Sequence, residues 1–295
     1  MKNKAPVILD FDNSVGLVEG AARIDLNDWQ ETVRFGCSLK SFRNFTSFLQ
    51  TKFPSEYGTV LTGSGDFHHL SWPLIELQKD KGPFQVILFD NHPDNMRFPF
   101  GIHCGSWVNK VASLPYVSHV HVLGVTSSDI SFKSIFEQYW SPLLKGKLTY
   151  WCMDVNVKWA SYIGLGKAFR RFDNPDELIK NFILEQKGTD KSPKKIAPTY
   201  LTIDKDVLSI TEVNTNWDQG RMLEKHIISV IEMLSGNIIG SDITGDVSVW
   251  HYNSWWKKKL SALDGQQEIP QHELQLWQRD QQALNQRLLT ALSKN

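Results

Sequence analysis

The sequence predicts an α/β fold: a three-layer, doubly wound, mostly parallel sheet with helices on both faces. Three observations point there. Short apolar runs of strand length recur along the 295 residues. Several are nearly continuous in Val, Ile, Leu and aromatics, as in strands buried on both faces. Segments with helical spacing lie between them, the alternation expected of βα units. No internal repeat interrupts the pattern, and the length suits one domain over 1–295 with a sizeable core.

The strand-like runs, in order, are "PVILDF" from Pro6, "TVLTG" from Thr59, "FQVILFD" from Phe84, "SHVHVLGV" from Ser118, "KLTYWCMDV" from Lys147, "PTYLTID" from Pro198 and "NIIGSDI" from Asn237. Helical spacing marks Leu26 to Phe53 and Gly220 to Gly236. The polar, Pro- and Gly-bearing "EQKGTDKSPKKIAP", Glu185 to Pro198, reads as a surface loop inside the domain. At the end, Leu274, Trp277, Leu284, Leu288 and Leu289 are spaced as on one amphipathic helix.

Composition narrows the function classes. Lys plus Arg equals Asp plus Glu at 32 each, with no basic run, so nothing favours a nucleic-acid partner. No apolar stretch reaches transmembrane length and the N-terminus lacks a signal-peptide h-region, so a soluble chain with no membrane partner is expected. The three cysteines, Cys37, Cys104 and Cys152, are scattered and odd in number, which fits a reduced, cytoplasmic protein. Most of the eleven Trp are expected in the core or at subunit contacts.

Ligands of parallel α/β sheets bind beyond the carboxyl ends of the strands, and the polar clusters fall there. "TVLTGSG" runs into Asp66-Phe67-His68-His69, "FQVILF" into Asp90-Asn91-His92-Pro93-Asp94, "PTYLTI" into Asp204-Lys205-Asp206, and "NIIGS" into Asp242. Because strand side chains alternate, Asp90, His92 and Asp94 start on one side, as do Asp204 and Asp206. Four strands thus aim carboxylates and imidazoles into one crevice. Uncompensated carboxylates repel, so protons or cations must sit among them. His beside Asp is a mixed N/O ligand set that suits Mn²⁺, and Zn²⁺ or Fe²⁺ less distinctively. Two metals sharing carboxylates can together activate a water. An acidic residue at a strand end is often no more than a helix cap, and a His pair often only packs; the second Asp-x-Asp is what favours a metal site.

The set resembles the arginase–agmatinase–formiminoglutamase (ureohydrolase) family. That family carries a Gly-Gly-Asp-His segment, then Asp-Ala-His-x-Asp, then Asp-x-Asp and a Gly-rich loop. Here "GSGDFHHLS", "FDNHPDN" and "TIDKDVLSITEVNTNWDQG" stand in that order, and "GIHCGSW", Gly101 to Trp107, resembles the family's His-Gly segment. The similarity runs from about Thr59 to Asp246. It implies an arginase-like fold, two Mn²⁺ per subunit, and trimers or hexamers. One ion would take His68, Asp90, Asp94 and Asp204, and the other Asp90, His92, Asp204 and Asp206. Asp90 and Asp204 would bridge together with a hydroxide, the ions lying about 3.5 Å apart. His103 would match the family's proton-shuttling or substrate-orienting histidine, and Asp94 or His103 would pass a proton to the leaving amine. The implied activity is hydrolysis of a C–N bond in a guanidino, amidino or formimino compound, a small-molecule substrate, by attack of the metal-bridging hydroxide.

The chain departs from the family in four places. Phe67 intervenes in the first motif, leaving His68 or His69 as ligand, with His68 nearer the family position. Asn91 replaces a small residue. The usual Asp-Pro after the third motif is Leu208-Ser209. Gly245 stands where arginases place the Glu that grips the guanidinium, with Asp246 next to it. Asp242 or Asp246 is therefore expected to face the crevice and bind substrate, and free arginine is not expected to be the best one. Three other readings compete. "ILDFDNS" imitates the nucleophile loop of haloacid-dehalogenase-like phosphatases, but Ser14 stands where Thr or Val is usual, and no downstream Lys and paired-Asp loop follows. A catalytically altered family member could serve as a binding or regulatory protein. Deacetylases of related fold use one zinc and lack this tandem pattern.

Overall fold

The computed structural model of the chain describes residues 4–189, 191–263 and 269–294. Among the described residues nine strands build one central sheet: β1 (Val7–Asp10), β2 (Ala22–Asp25), β3 (Val60–Gly63), β4 (Phe84–Phe89), β5 (Val117–Val125), β6 (Leu148–Cys152), β7 (Phe169–Arg171), β8 (Thr199–Asp204) and β9 (Ile238–Thr244). Their order is β2-β1-β3-β9-β8-β4-β5-β6-β7. Every pairing is parallel. The carboxyl ends of β3, β4, β8 and β9 therefore lie side by side at the middle of the sheet, which is where the sequence ends them in acidic and histidine residues.

Alternation along the strands sends successive residues into two different cores. Val86 and Leu88 of β4 join a core with Phe42, Phe45 and Leu49 of helix α1 (Leu39–Lys52), Leu74 and Ile75 of α2 (Ser71–Glu76) and Val111 of α3 (Val108–Ala112). Ile87 and Phe89 join the other, with Leu178 and Phe182 of α4 (Pro175–Lys187), Ile227 and Val230 of α5 (Glu224–Met233), and Leu284, Leu288 and Leu292 of the last helix. Helices thus cover both faces of the sheet, as the continuous apolar runs require.

The elements differ in detail from the sequence reading. The helical spacing over 26–53 resolves into a short turn-and-helix stretch ending at Val33, a two-residue strand at Gly36–Cys37 and then α1, which Ser38 caps by accepting from the Ser41 amide. Gly36–Cys37 pairs antiparallel with Ile102–His103 and so ties the His103 segment to the N-terminal part of the chain. The expected loop at 185–198 begins with the last turn of α4, then forms a small hairpin in which Gly188–Thr189 pairs with Ser192–Pro193. A further helix, α6 (Trp255–Leu263), follows β9, and the amphipathic tail is the helix α7 (Gln271–Ser293). No described helix is long and apolar enough to cross a membrane.

Candidate metal centre

The ends of β3, β4 and β8 and the short segments that follow them bring the six expected ligands together. The strand β4 stops at Phe89, so Asp90, His92 and Asp94 occupy the turn after it rather than alternating strand positions. Asp90 Oδ1 accepts from the His92 amide at 2.6 Å, and Asp204 Oδ1 accepts from the Asp206 amide at 3.1 Å. The same i to i+2 turn thus occurs twice. In each it occupies one carboxylate oxygen, and the other oxygen faces His68: Nδ1 lies 3.3 Å from Asp90 Oδ2 and 3.2 Å from Asp204 Oδ2. Asp94 reaches the same nitrogen at 2.9 Å from a left-handed backbone (φ 45°), a conformation Asp tolerates better than most residues. Its Oδ2 also accepts from Trp107 Nε1 at 2.6 Å.

His68 shows most directly that a cation fits. Its Nε2 lies 3.2 Å from Thr202 Oγ1, whose hydroxyl donates to Asp242 Oδ1 at 2.7 Å. The Thr202 hydrogen is committed, so His68 Nε2 is the donor and carries a proton. On neutral His68 that leaves a lone pair on Nδ1 facing three carboxylates. One proton there would serve only one of them, whereas a divalent cation would serve all three. Asp90 Oδ2 is buried and accepts no hydrogen bond among the described residues. His92 forms the second group: Nδ1 lies 2.9 Å from Asp206 Oδ2 and 3.6 Å from Asp90 Oδ1. Ligand atoms of His68, Asp90 and Asp94 fall within 4.8 Å of one another, as do those of Asp90, His92 and Asp206. Asp90 is common to both groups.

The electrostatics agree. Burial, with Asp90 beside it, pushes the Asp94 carboxyl up to about 7 and Asp206 up to about 6. Burial and then Asp206 raise Asp204 well above the carboxylate range. Burial opposes ionisation of Asp90 too, but the imidazoles of His68 and His92 hold it at about 2. Burial likewise disfavours a charged His68 or His92, yet the surrounding carboxylates raise both well above the ordinary imidazole value. With only protons to balance it, the cluster must retain several.

His69, the other candidate in the first motif, turns away and packs its ring 5.6 Å from that of Phe42. His103 lines a cleft of about 460 Å³ together with His68, His92, Asp94 and Asp206. Its Nδ1 accepts from the Gly105 amide at 2.9 Å, which leaves the proton on Nε2, and burial lowers its pKa to about 4. Phe35 lies near-parallel to both His103 and Trp217, with centroids 6.0 and 6.4 Å away, and lines the same cleft.

Two expectations need correcting. Neither Asp242 nor Asp246 lines the cleft. The strand β9 continues to Thr244, so Asp242 is an interior strand residue, bonded by Ser71, Thr202 and Tyr200 at 2.9, 2.7 and 2.7 Å. Asp246 is fully buried in an ion pair with Lys205 Nζ at 2.7 Å and accepts from Asn285 Nδ2 at 2.9 Å. Gly245 adopts φ 92°, and a Cβ there would meet Asp204 Oδ1 at 2.6 Å, so no side chain fits where arginases place their Glu. The phosphatase-like reading also loses its nucleophile. Asp10 is engaged by Arg23 at 2.7 Å and Asp12 by the buried Arg34 at 2.9 Å, and neither carboxylate lines the cleft. Sequence reasoning missed Asp218, Asp129, Arg97 and Trp217, which complete the cleft wall. The available signal for Asp218 was an acidic residue in the loop that follows Asp204-Lys205-Asp206.

A parallel sheet of this order, with a carboxylate–histidine cluster at its central strand ends, is the architecture the motifs led us to expect. No family model matches the chain. An uncharacterized protein of Thermotoga maritima is 26% identical over 219 residues, covering 73% of this chain and 70% of that one. Among solved structures, the agmatine ureohydrolase of Thermoplasma volcanium superposes with a TM-score of 0.54 at 12% identity, covering 99% of this chain and 90% of that one. Arginase from Bacillus subtilis gives 0.53 at 13% identity, covering 99% of both chains. Formimidoylglutamase from Bacillus subtilis also gives 0.53 at 13%, covering 99% of this chain and 88% of that one. The chain has the arginase–agmatinase–formiminoglutamase fold in a form far diverged in sequence.

Proposed function

We propose that this protein is a binuclear, manganese-dependent hydrolase that cleaves a C–N bond of a guanidino, amidino or formimino compound. The observation that carries the reading is His68 Nδ1, which faces the carboxylates of Asp90, Asp94 and Asp204 together at 2.9–3.3 Å. His68, Asp90, Asp94 and Asp204 would hold one cation, and Asp90, His92, Asp204 and Asp206 the other. Bound there, divalent cations supply Lewis acidity, which acidifies a water and counters the charge that develops as the C–N bond breaks.

The chain's own groups do the rest. Asp94 lines the cleft with His103, and one of the two passes a proton to the leaving amine. His103 stays neutral there, and its Nε2–H is fixed as a donor by the Gly105 amide on Nδ1. It orients the substrate nitrogen and stabilises the departing amine. Phe35, Phe98 and Trp217 supply an apolar wall. With Gly245 bare and Asp242 and Asp246 tied up, the carboxylates left on the wall outside the six are Asp129 and Asp218. Because no side chain at Gly245 can grip a guanidinium, free arginine is not the best substrate, and a formimino or amidine compound is the better candidate.

The test is to load the protein with Mn²⁺ and screen guanidino, ureido, amidine and formimino compounds for release of ammonia, urea or amine. We expect turnover of at least one formimino or amidine compound, faster than L-arginine. Two bound ions with no turnover across the panel would favour the binding or regulatory reading, for which the bare Gly245 is the motivating feature. Urea release from L-arginine faster than any other reaction would overturn the substrate assignment.

A further inference from the structure

Asp218 touches the candidate centre from outside it. Its Oδ1 lies 2.8 Å from His92 Nε2, on the opposite side of the ring from Asp206 and Asp90. Its side chain is 69% exposed, and an ion pair at that exposure is ordinarily of little consequence. This one is anchored. Asn91 Nδ2 donates to the Asp218 carbonyl at 3.0 Å and to its Oδ2 at 3.2 Å. Asn91 is itself buried and fully engaged. Its Oδ1 accepts from the Thr126 amide and hydroxyl at 3.2 and 2.5 Å, and its main-chain N–H donates to Asp206 Oδ1 at 3.1 Å.

The loop carrying Asp218 is pinned again two residues later. The Gly220 amide donates to the Asp206 carbonyl at 2.7 Å, and a Cβ at Gly220 would come within 2.5 Å of the Val207 carbonyl oxygen. Asn91 is the residue that departs from the small residue of the motif this segment resembles. Its amide spans the ends of β4 and β5 and the loop after β8. The departure and the additional carboxylate thus belong to one arrangement.

We propose that Asp218 is a positioning residue for His92: it accepts the Nε2 proton, fixes the tautomer that leaves the lone pair on Nδ1, and aims that lone pair at the space between Asp90 and Asp206. Asn91 holds Asp218 in place for this. The proposal rests on the metal reading of the cluster. A carboxylate on the far nitrogen of a ligating imidazole fixes the ring and raises its basicity, and losing such a partner typically weakens metal binding about 10- to 100-fold.

The experiment is calorimetric titration of the full chain with Mn²⁺, comparing wild type, Asp218→Ala, Asp218→Asn and Asn91→Ala, with thermal unfolding measured alongside. The wild type is expected to take up two ions. Asp218→Ala should weaken one of the two by about 10- to 100-fold and leave the other at wild-type affinity. Asn91→Ala should weaken the same one. Asp218→Asn keeps an acceptor oxygen and should recover part of the loss. Wild-type affinity for both ions in Asp218→Ala would overturn the positioning role while leaving the metal centre standing. So would equal weakening of both ions together with a lowered Tm, since that is how a loop with a merely structural part behaves. A wild type that binds no cation would overturn the centre and the positioning role together.

Discussion

His68 Nε2 lies 3.2 Å from Thr202 Oγ1, and the Thr202 hydroxyl donates its hydrogen bond to Asp242 at 2.7 Å. This chain of bonds sets which nitrogen of His68 is free to face the carboxylates. It also gives Asp242 a role different from the one the sequence suggested, since the carboxylate supports the cluster from behind. Thr202→Val should therefore remove the acceptor for His68 and leave Asp242 short of one donor, at a stability cost of about 1–3 kcal/mol. It should also weaken cation binding about 10- to 100-fold, the usual effect of losing such a partner. Equilibrium unfolding and a Mn²⁺ titration on the same preparation check both effects. Unchanged Mn²⁺ affinity would mean that His68 does not depend on Thr202.

Gly245 is the position where sequence comparison expects a substrate-gripping Glu. Its φ of 92° and its closeness to Asp204 make a different prediction. Gly245→Ala should cost about 1–2 kcal/mol in backbone strain alone and should push Asp204 off its position, lowering metal content. Gly245→Glu should do the same and should not create arginase activity. A Gly245→Glu protein that keeps both ions and gains urea release from L-arginine would contradict this.

The role given to His103 separates binding from turnover. It stands in the cleft but outside the carboxylate cluster, so His103→Ala should retain the cations of the wild type. Turnover of whichever compound proves to be the substrate should fall by about 10²- to 10⁴-fold. Elemental analysis and steady-state rates on one sample decide the matter. If metal content falls as far as in Asp90→Ala, His103 is a ligand.

Much of this was legible because the signal was local. The interior strands announce themselves as continuous apolar runs, and the six clustered residues lie at the ends of three of them or within a few residues beyond. Strands β2 and β7 were missed because they are edges: "ARID" buries only Ile24, and "FRR" buries only Phe169, so neither carries a two-sided apolar pattern. The convergence of Asp90, His92 and Asp94 was expected from strand alternation, but a turn after Phe89 and the left-handed Asp94 produce it. Asp242 misled because one residue type fits both a strand end and a buried bonded position. Only the length of β9 distinguishes them. Asp218 and Trp217 reach the cleft through the fold of a long loop, and such loops carry no periodicity to read.

Away from the cleft, His121 makes a pH prediction. Burial, followed by the nearby His119 and Arg170, holds its pKa well below the ordinary 6.5, so the folded protein keeps it neutral. Its Nδ1 accepts from Trp151 Nε1 at 3.3 Å and its Nε2 faces Gln186 at 3.5 Å. The unfolded chain takes up a proton below about pH 6.5 that the folded chain refuses. The stability from His121 is thus fully present above that pH and is lost as pH falls below it. In His121→Gln, the fall of unfolding free energy with acid between pH 6.5 and 5 should be shallower by up to about 1.4 kcal/mol per pH unit. An identical slope in variant and wild type, measured by urea unfolding, would show that His121 is accessible to protons in the folded state.

The central claim is that the strand-end cluster is a two-cation centre with Asp90 at its heart. The most direct measurement is the number of Mn²⁺ ions bound per chain, in the wild type and in Asp90→Ala, with circular dichroism confirming that both are folded. The account predicts two ions in the wild type and none retained in Asp90→Ala, because Asp90 faces both His68 and His92. A folded wild type that binds no divalent cation, or an Asp90→Ala protein that binds two as tightly as the wild type, would contradict it.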